Sequence, residues 1–181
     1  MPTKVNNEKL DVLMGRLQRG DASALEDIYR ITYENLYRLS YAILRCFGSA
    51  KDIVQDVFVQ LFHVAKQYKL GTNANAWICR IARNKCYDEY KRRGKTDVFE
   101  ETTLDILQTP KCGEDKWMTN IMLQTALDKL DVDTREIVVL FGLKQYKHYE
   151  IAEIVGKPTG TVKWLYQKAL KEMKKILQGG G

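Results

Sequence analysis

Residues His148–Leu177 read HYEIAEIVGKPTGTVKWLYQKALKEMKKIL, and this stretch decides the fold. His148–Val155 is a short helical run whose apolar members are Ile151, Ala152, Ile154 and Val155. Gly156-Lys157-Pro158 follows: glycine tolerates the left-handed backbone that ends a helix, and proline suits the first turn of the next. In the second run Val162, Tyr166, Ala169, Met173 and Ile176 recur at alternating intervals of four and three, which lays one apolar stripe along a helix. Its other face carries Lys163, Lys168, Lys171, Lys174 and Lys175. Two helices around a tight turn, the second basic on its outer side, form the pattern of a helix-turn-helix that reads a DNA major groove. A plain helical hairpin with a solvated lysine face would share the apolar pattern. The turn chemistry, the Thr161-Val162-Lys163 start and the charge favour DNA.

The whole chain of 181 residues, 45% hydrophobic and 29% charged, has the composition of a globular protein of one domain or two small ones. Its net charge of +6 suits a phosphate backbone, but equally an anionic membrane surface or simple solubility. The longest apolar run, Ile137–Phe141, falls far short of the roughly 18 residues of a membrane span. MPTKVNNEKLD at the start has no apolar core for a secretory signal. Cys46, Cys79, Cys86 and Cys112 form no Cys-x-x-Cys pair, and with His63 and His148 they make no zinc-ligand spacing, so neither metal nor cofactor is expected. The consistent compartment is the reduced cytoplasm. His63 and His148 fall in different halves without a carboxylate or nucleophile beside them, so no catalytic constellation and no enzyme activity is expected.

Taken in order, Asn7 to Gly20 reads as a helix with Leu10, Leu13, Met14 and Leu17 on one side. Ser23 and Glu26 resemble a capping box for a helix from Ala24 to about Cys46, with Gly48 ending it. Ser49 and Asp52 open a third run, in which Ile53, Val54, Val57, Phe58, Leu61 and Phe62 face inward and Asp52, Gln55, Asp56 and Gln60 outward. Asn73 is the expected N-cap of a fourth helix, Ala74 to Arg93, with Trp77 and Tyr87 on its inner side. Arg80, Arg83, Lys85, Lys91, Arg92 and Arg93 make that helix basic, and the next stretch is acidic: Asp97, Glu100, Glu101, Asp105, Glu114 and Asp115. Such a reversal marks a boundary. Leu104, Ile106 and Leu107 are apolar enough to dock part of the tether. Trp117–Leu130 and Thr134–Leu143 then read as helices supporting the helix-turn-helix, joined through Asp131-Val132-Asp133 with Asp133 as cap. The expected fold is all-α: a four-helix-type bundle in residues 1–94, an acidic linker in 95–115 and a helix-turn-helix domain in 116–178.

Three segments together resemble the bacterial RNA polymerase sigma factors of the extracytoplasmic-function group. DIVQDVFVQLF resembles the helix that binds the polymerase β′ clamp, AWICRIARNKCYDEYKRR the −10 helix of region 2, and YEIAEIVGKPTGTVKWLYQKAL the −35 helix-turn-helix of region 4. The resemblance implies an alternative sigma factor that binds core RNA polymerase (β′ clamp and β flap), directs promoter DNA recognition and melting, and is controlled by an anti-sigma protein. A stand-alone helix-turn-helix regulator is the alternative; it leaves Asp52–Phe62 and the basic fourth helix without a purpose.

By resemblance, Asp52, Gln55 and Asp56 pair with the clamp, and Phe62 stands where the family often has tryptophan. Melting requires unstacked bases to be caught while charge holds the phosphates. Arg80, Arg83, Lys91, Arg92 and Arg93 supply that charge, and Asn84 matches an asparagine that contacts the −10 strand. The loop Tyr68–Ala76 corresponds to one that accepts a flipped base, which Lys69, Thr72, Asn73 and Asn75 can read by hydrogen bonding. At the −35 helix Thr159, Gly160 and Thr161 can hold a phosphate, and Lys163, Gln167, Lys168 and Lys171 lie on the outer face. Here the chain departs from the family: Trp164 replaces a usual serine, Leu165 a usual arginine, and Lys168-Ala169-Leu170 stands where Arg-Ala-Arg is common. Trp164 is left with two readings, a thymine methyl or a protein partner. The acidic linker also has two, a segment that occupies the RNA path or a soluble spacer.

Overall fold

The computed structural model describes residues 2–93, 121–143 and 146–178, which are almost wholly helical. The acidic linker, the expected helix start at Trp117 and the terminal glycines lie outside the described residues. Four long helices form the first half: α1 (Pro2–Gln18), α2 (Ser23–Leu44), α3 (Phe47–Val64) and α4 (Ala74–Arg93). The second half has α5 (Ile121–Asp128), α6 (Val132–Gly142), α7 (His148–Val155) and α8 (Thr159–Gln178).

Helix α2 is the axis of the bundle. Ala24, Ile28, Leu36, Leu39 and Ile43 are buried along it, and it packs on α1, α3, α4 and α6. Leu10, Met14, Leu61 and Ile78 are fully buried against this stripe, each contributing about 1.5–3 kcal/mol. The cap of α2 differs from the sequence expectation. Ser23 is the first helical residue, and the carboxylate of Asp21 accepts from the Ser23 backbone N–H at 3.1 Å while Arg16 binds it at 2.8 Å. The cap position itself is held by Ala22, which has no side-chain acceptor, and the ionised carboxylate of Asp21 one residue earlier supplies one. Nor does Gly48 end α2. Arg45 takes the left-handed position (φ 51°), its guanidinium lying over the Tyr41 ring at 4.5 Å, and Gly48 falls in the first turn of α3.

The loop before α4 is braced from α1. Gln18 donates to the Ala65 and Tyr68 carbonyls at 3.0 and 2.7 Å, and Asp11 accepts from the Tyr68 hydroxyl and the Gly71 N–H at 2.7 and 2.8 Å. Gly71, at φ +79°, has the backbone only glycine adopts freely. Asn73 caps α4 as expected, accepting from the Ala76 N–H at 2.9 Å.

In the second half the cap of α6 is Asp131, which accepts from Thr134 N–H and Oγ1 at 2.9 and 2.7 Å. Asp133, the expected cap, is half-buried and accepts instead from Tyr87 and Lys157. Gly156 (φ 68°) closes α7 as the sequence suggests. The two halves pack against each other: Ile137, Leu140, Ile151 and Ile154 belong to the same apolar cluster as Leu10, Leu36 and Ile78. A second cluster joins Ala42 of α2 to Leu127, Leu130, Val139 and Met173. Arg135 ties the seam, donating to the Leu127, Leu130 and Ala42 carbonyls at 2.9, 2.9 and 3.1 Å.

Candidate nucleic-acid interface

Three surfaces carry the residues singled out by the sequence. On α3, Asp52, Gln55 and Asp56 are exposed, with Val59 and Phe62 exposed beside them, because Ile53, Val54, Val57 and Phe58 take the inner face. This face therefore carries acidic and uncovered apolar side chains next to one another.

On α8 only Val162, Ala169 and Met173 are buried. Thr161, Lys163, Gln167, Lys168 and Lys171 are exposed and Thr159 half-buried at the N-terminus. Trp164 is 62% exposed, with the Lys168 ammonium 5.7 Å from its ring centre. On the inner side Tyr166 packs on Phe141 at 4.2 Å between ring centres, which fixes α8 against α6. The outer face is cationic, open and rigidly carried.

Helix α4 is different. Ile78, Cys79, Ala82 and Cys86 are its inner face. Asn84, Lys91 and Arg92 are exposed, as is Lys69 in the preceding loop. Asn73, Asn75, Arg80 and Arg83 are engaged by the second half of the chain. Asn73 donates to Glu150 at 3.1 Å, and Arg80 donates to the Glu153 carbonyl at 2.8 Å with the Glu153 carboxylate 3.5 Å away. Arg83 grips both oxygens of Glu136 at 2.9–3.2 Å. Tyr87 donates to Asp133 at 2.8 Å, and Lys157 reaches the other Asp133 oxygen at 2.8 Å. Asn75 is buried, accepting from the Tyr146 hydroxyl at 3.0 Å, and the Cys79 thiol lies 2.9 Å from that same hydroxyl. At the far end Arg92 and Arg93 both donate to Glu89, at 2.8 and 2.6 Å.

The electrostatics follow burial. Glu136 is 0% exposed, and burial pushes its carboxyl up, the guanidinium of Arg83 offsetting only part of that. Asp133 is held low, chiefly by the hydrogen bond from Lys157. Burial pushes the Cys79 and Cys86 thiols up to about 12, so neither is a ready thiolate. Sequence reasoning assigned no role to Glu136, Glu150, Glu153 or Tyr146. One signal was present: Glu136 stands four residues before Leu140, on the apolar stripe of α6, where an acid needs a buried partner.

Comparison with known proteins fits this arrangement. The family model described as sigma-70 region 2 matches residues 28–96, and that described as sigma-70, region 4 matches residues 120–173. Together the two matches cover more than half of the chain, which belongs to the sigma-70 family of RNA polymerase sigma factors. Among curated extracytoplasmic-function (ECF) sigma factors, BldN of Streptomyces coelicolor is 27% identical over 91% of this chain, which spans 64% of that protein's length. SigW of Bacillus subtilis is 24% identical over 90% of this chain and 94% of the relative. In fold, CnrH, solved with the cytosolic domain of CnrY, superposes with a TM-score of 0.75 at 19% identity, covering 96% of this chain and 99% of that one. The sigma factor RpoE of Bartonella quintana, solved with the anti-sigma factor NepR, gives 0.71 at 23% identity over 86% and 98%. Region 2 of this sigma factor thus holds α2–α4, and region 4 holds α5–α8.

Proposed function

We propose that this chain is an alternative sigma factor that docks on core RNA polymerase and directs promoter recognition, melting and transcription initiation. The observation that carries this reading is the order of parts: an acidic, partly apolar α3 face, a basic α4 and a cationic helix-turn-helix, in a chain matched by sigma regions 2 and 4. Asp52, Gln55 and Asp56 contact the β′ clamp. Lys69, Asn73, Asn75, Arg80, Arg83, Asn84, Lys91, Arg92 and Arg93 hold the non-template strand at −10. Thr159, Thr161, Lys163, Trp164, Gln167, Lys168 and Lys171 bind duplex at −35, with region 4 seated on the β flap. Each contact is weak alone, and mounting both regions on one polymerase supplies the effective concentration that joins them.

The work is binding rather than turnover: captured bases and held phosphates favour the melted state. The site of action is the cytoplasm, where the polymerase is; among the described residues no helix is long and apolar enough to cross a membrane. An anti-sigma protein, such as those solved with the structural neighbours, is the expected form of control. The test is transcription by purified core polymerase on a supercoiled promoter library. Addition of the chain should create a new set of start sites; an unchanged set rejects the reading. A stand-alone regulator would bind duplex through α8 and fail to capture core polymerase in a pull-down.

A further inference from the structure

One residue breaks the polar pattern on the outer face of α8. Trp164 stands in the second turn, two residues after buried Val162 and five before buried Ala169, offsets that point it directly away from the apolar stripe. Gly160, Gln167, Lys171 and Lys175 stand four residues before it and three, seven and eleven after, so they share its face, and all are exposed. Gly160 adds no side chain there, and a Cβ on it would meet nothing within 4 Å. The indole is therefore the first bulky group on the N-terminal part of this face, the part that meets base edges when such a helix enters a major groove. The Lys168 ammonium lies over the ring, 5.7 Å from its centre and within cation–π reach. That contact takes one face of the indole and leaves the other open.

The surroundings decide between a protein and a base as its partner. The centre of a protein interface is apolar and poor in lysine. Trp164 is instead ringed by exposed Lys163, Lys168 and Lys171, and the other exposed apolar residues of α8, Leu170 and Leu177, lie on a different side of the helix. A single apolar group within a cationic field suits a duplex, where phosphates meet the lysines and the indole reaches into the groove. Lysine lacks the planar fork that reads guanine bidentately, so base reading on this face falls chiefly to its uncharged side chains, of which Trp164 is the largest. Indole has one N–H donor and no acceptor. Adenine and cytosine each present an amino donor in the major groove, which it cannot accept, guanine presents only acceptors, and thymine alone presents a methyl group. We propose that Trp164 is a specificity-determining residue that reads thymine at one position of the bound duplex through contact of its indole with the 5-methyl group. The inference rests on the −35 reading of α8 and adds the base that one residue recognises.

Removing one methyl group from the DNA tests the contact. Duplexes from a random-sequence pool are selected on the full chain bound to core polymerase and, in parallel, on the full chain alone at fixed ionic strength. Each thymine of the selected element is then replaced in turn by deoxyuridine. At one position the loss of the methyl should weaken wild-type binding about fourfold, the worth of one buried methyl group. Cytosine there should weaken it about tenfold, and 5-methylcytosine should recover the methyl's share. Trp164→Ala, at an exposed position and with its helix content checked by circular dichroism, should bind thymine and deoxyuridine at that position within twofold of each other. Trp164→Phe keeps an apolar ring and should keep at least a twofold preference for thymine. A Trp164→Ala chain that binds every sequence more weakly yet retains the fourfold methyl dependence overturns the proposal. So does a Trp164→Ala chain that binds DNA as wild type does but no longer captures core polymerase, or failure of both selections to yield a methyl-sensitive thymine. Failure of the wild-type chain to capture core polymerase strikes the sigma reading alone, because the selection on the chain by itself still scores the methyl.

Discussion

Helices α4 and α8 each run for 20 residues and each is basic, yet they meet their surroundings in opposite ways. Helix α8 buries a narrow stripe and leaves its lysines in water, whereas α4 buries one face in the bundle and gives much of another to acids from the same chain. The side-chain chemistry explains part of the difference. The charges of α8 are lysines, compact and strongly hydrated; the engaged cations of α4, Arg80 and Arg83, are arginines. The planar guanidinium fork fits a carboxylate as well as it fits a phosphate. A helix equipped with arginine to grip a backbone is therefore also equipped to be gripped by its own acids.

The largest expected effect lies at the buried pair. Glu136→Ala leaves the Arg83 guanidinium half-buried without its partner, which should cost about 3–5 kcal/mol in urea unfolding. Arg83→Met combined with Glu136→Leu should recover most of that, since paired apolar replacements remove both desolvation costs. Lys168→Met on α8, where the nearest acid is Glu172 at 3.8 Å on the exposed surface, should shift stability by less than about 0.5 kcal/mol. Equal costs at the two helices would remove the distinction drawn between them.

The second effect separates the helices by salt. Lys163→Ala and Lys171→Ala should each weaken duplex binding by the holoenzyme across sequences and lower the slope of log affinity against log salt by about one. Glu136→Gln should leave that duplex slope unchanged, because Glu136 is fully buried and paired with Arg83 of α4 rather than with a lysine of α8. A fall in slope for Glu136→Gln would place the two surfaces in one electrostatic unit.

Much of this was legible in the residues. The period of four and three in Val162, Tyr166, Ala169 and Met173 set the inner stripe of α8, and Asn73 announced the start of α4. The helix-turn-helix bounds follow from Gly156 and Pro158 because turn chemistry is local. The starts of α2 and α6 were misassigned because two cap-forming residues stand two positions apart at each, Asp21 and Ser23, Asp131 and Asp133, and only the neighbouring groups decide which one bonds the helix N-terminus. The contact between the halves could not be read from spacing. It joins Arg83 to Glu136 and Asn75 to Tyr146, residues 53 and 71 apart in the chain, and the acids concerned look like solvated helix positions until a partner is known.

The smallest effect concerns the end of α4 beyond its contacts with the second half of the chain. Glu89 accepts hydrogen bonds from Arg92 and Arg93, Arg92 first in weight, and its carboxyl is held down to about 2. At Glu136 the same pairing of acid and arginine leaves the carboxyl raised, because there burial outweighs the guanidinium. The sign of the pH dependence follows. A carboxyl depressed in the folded state contributes stability above its ordinary value near 4.5, and that contribution is lost as pH falls through about 2. The Arg92 side chain is largely exposed, so water and salt screen the pair and Glu89→Gln should move the thermal midpoint by no more than about 2 °C. Carboxyl-detected NMR titration gives the direct reading: a Glu89 midpoint near 2 supports the pairing, and one near 4.5 shows that Arg92 and Arg93 are free of it in solution. In the latter case the open end of α4 would resemble α8 more closely, two basic surfaces in water, and the contrast between the helices would narrow to the stripe from Asn73 to Tyr87 that meets acids of the second half.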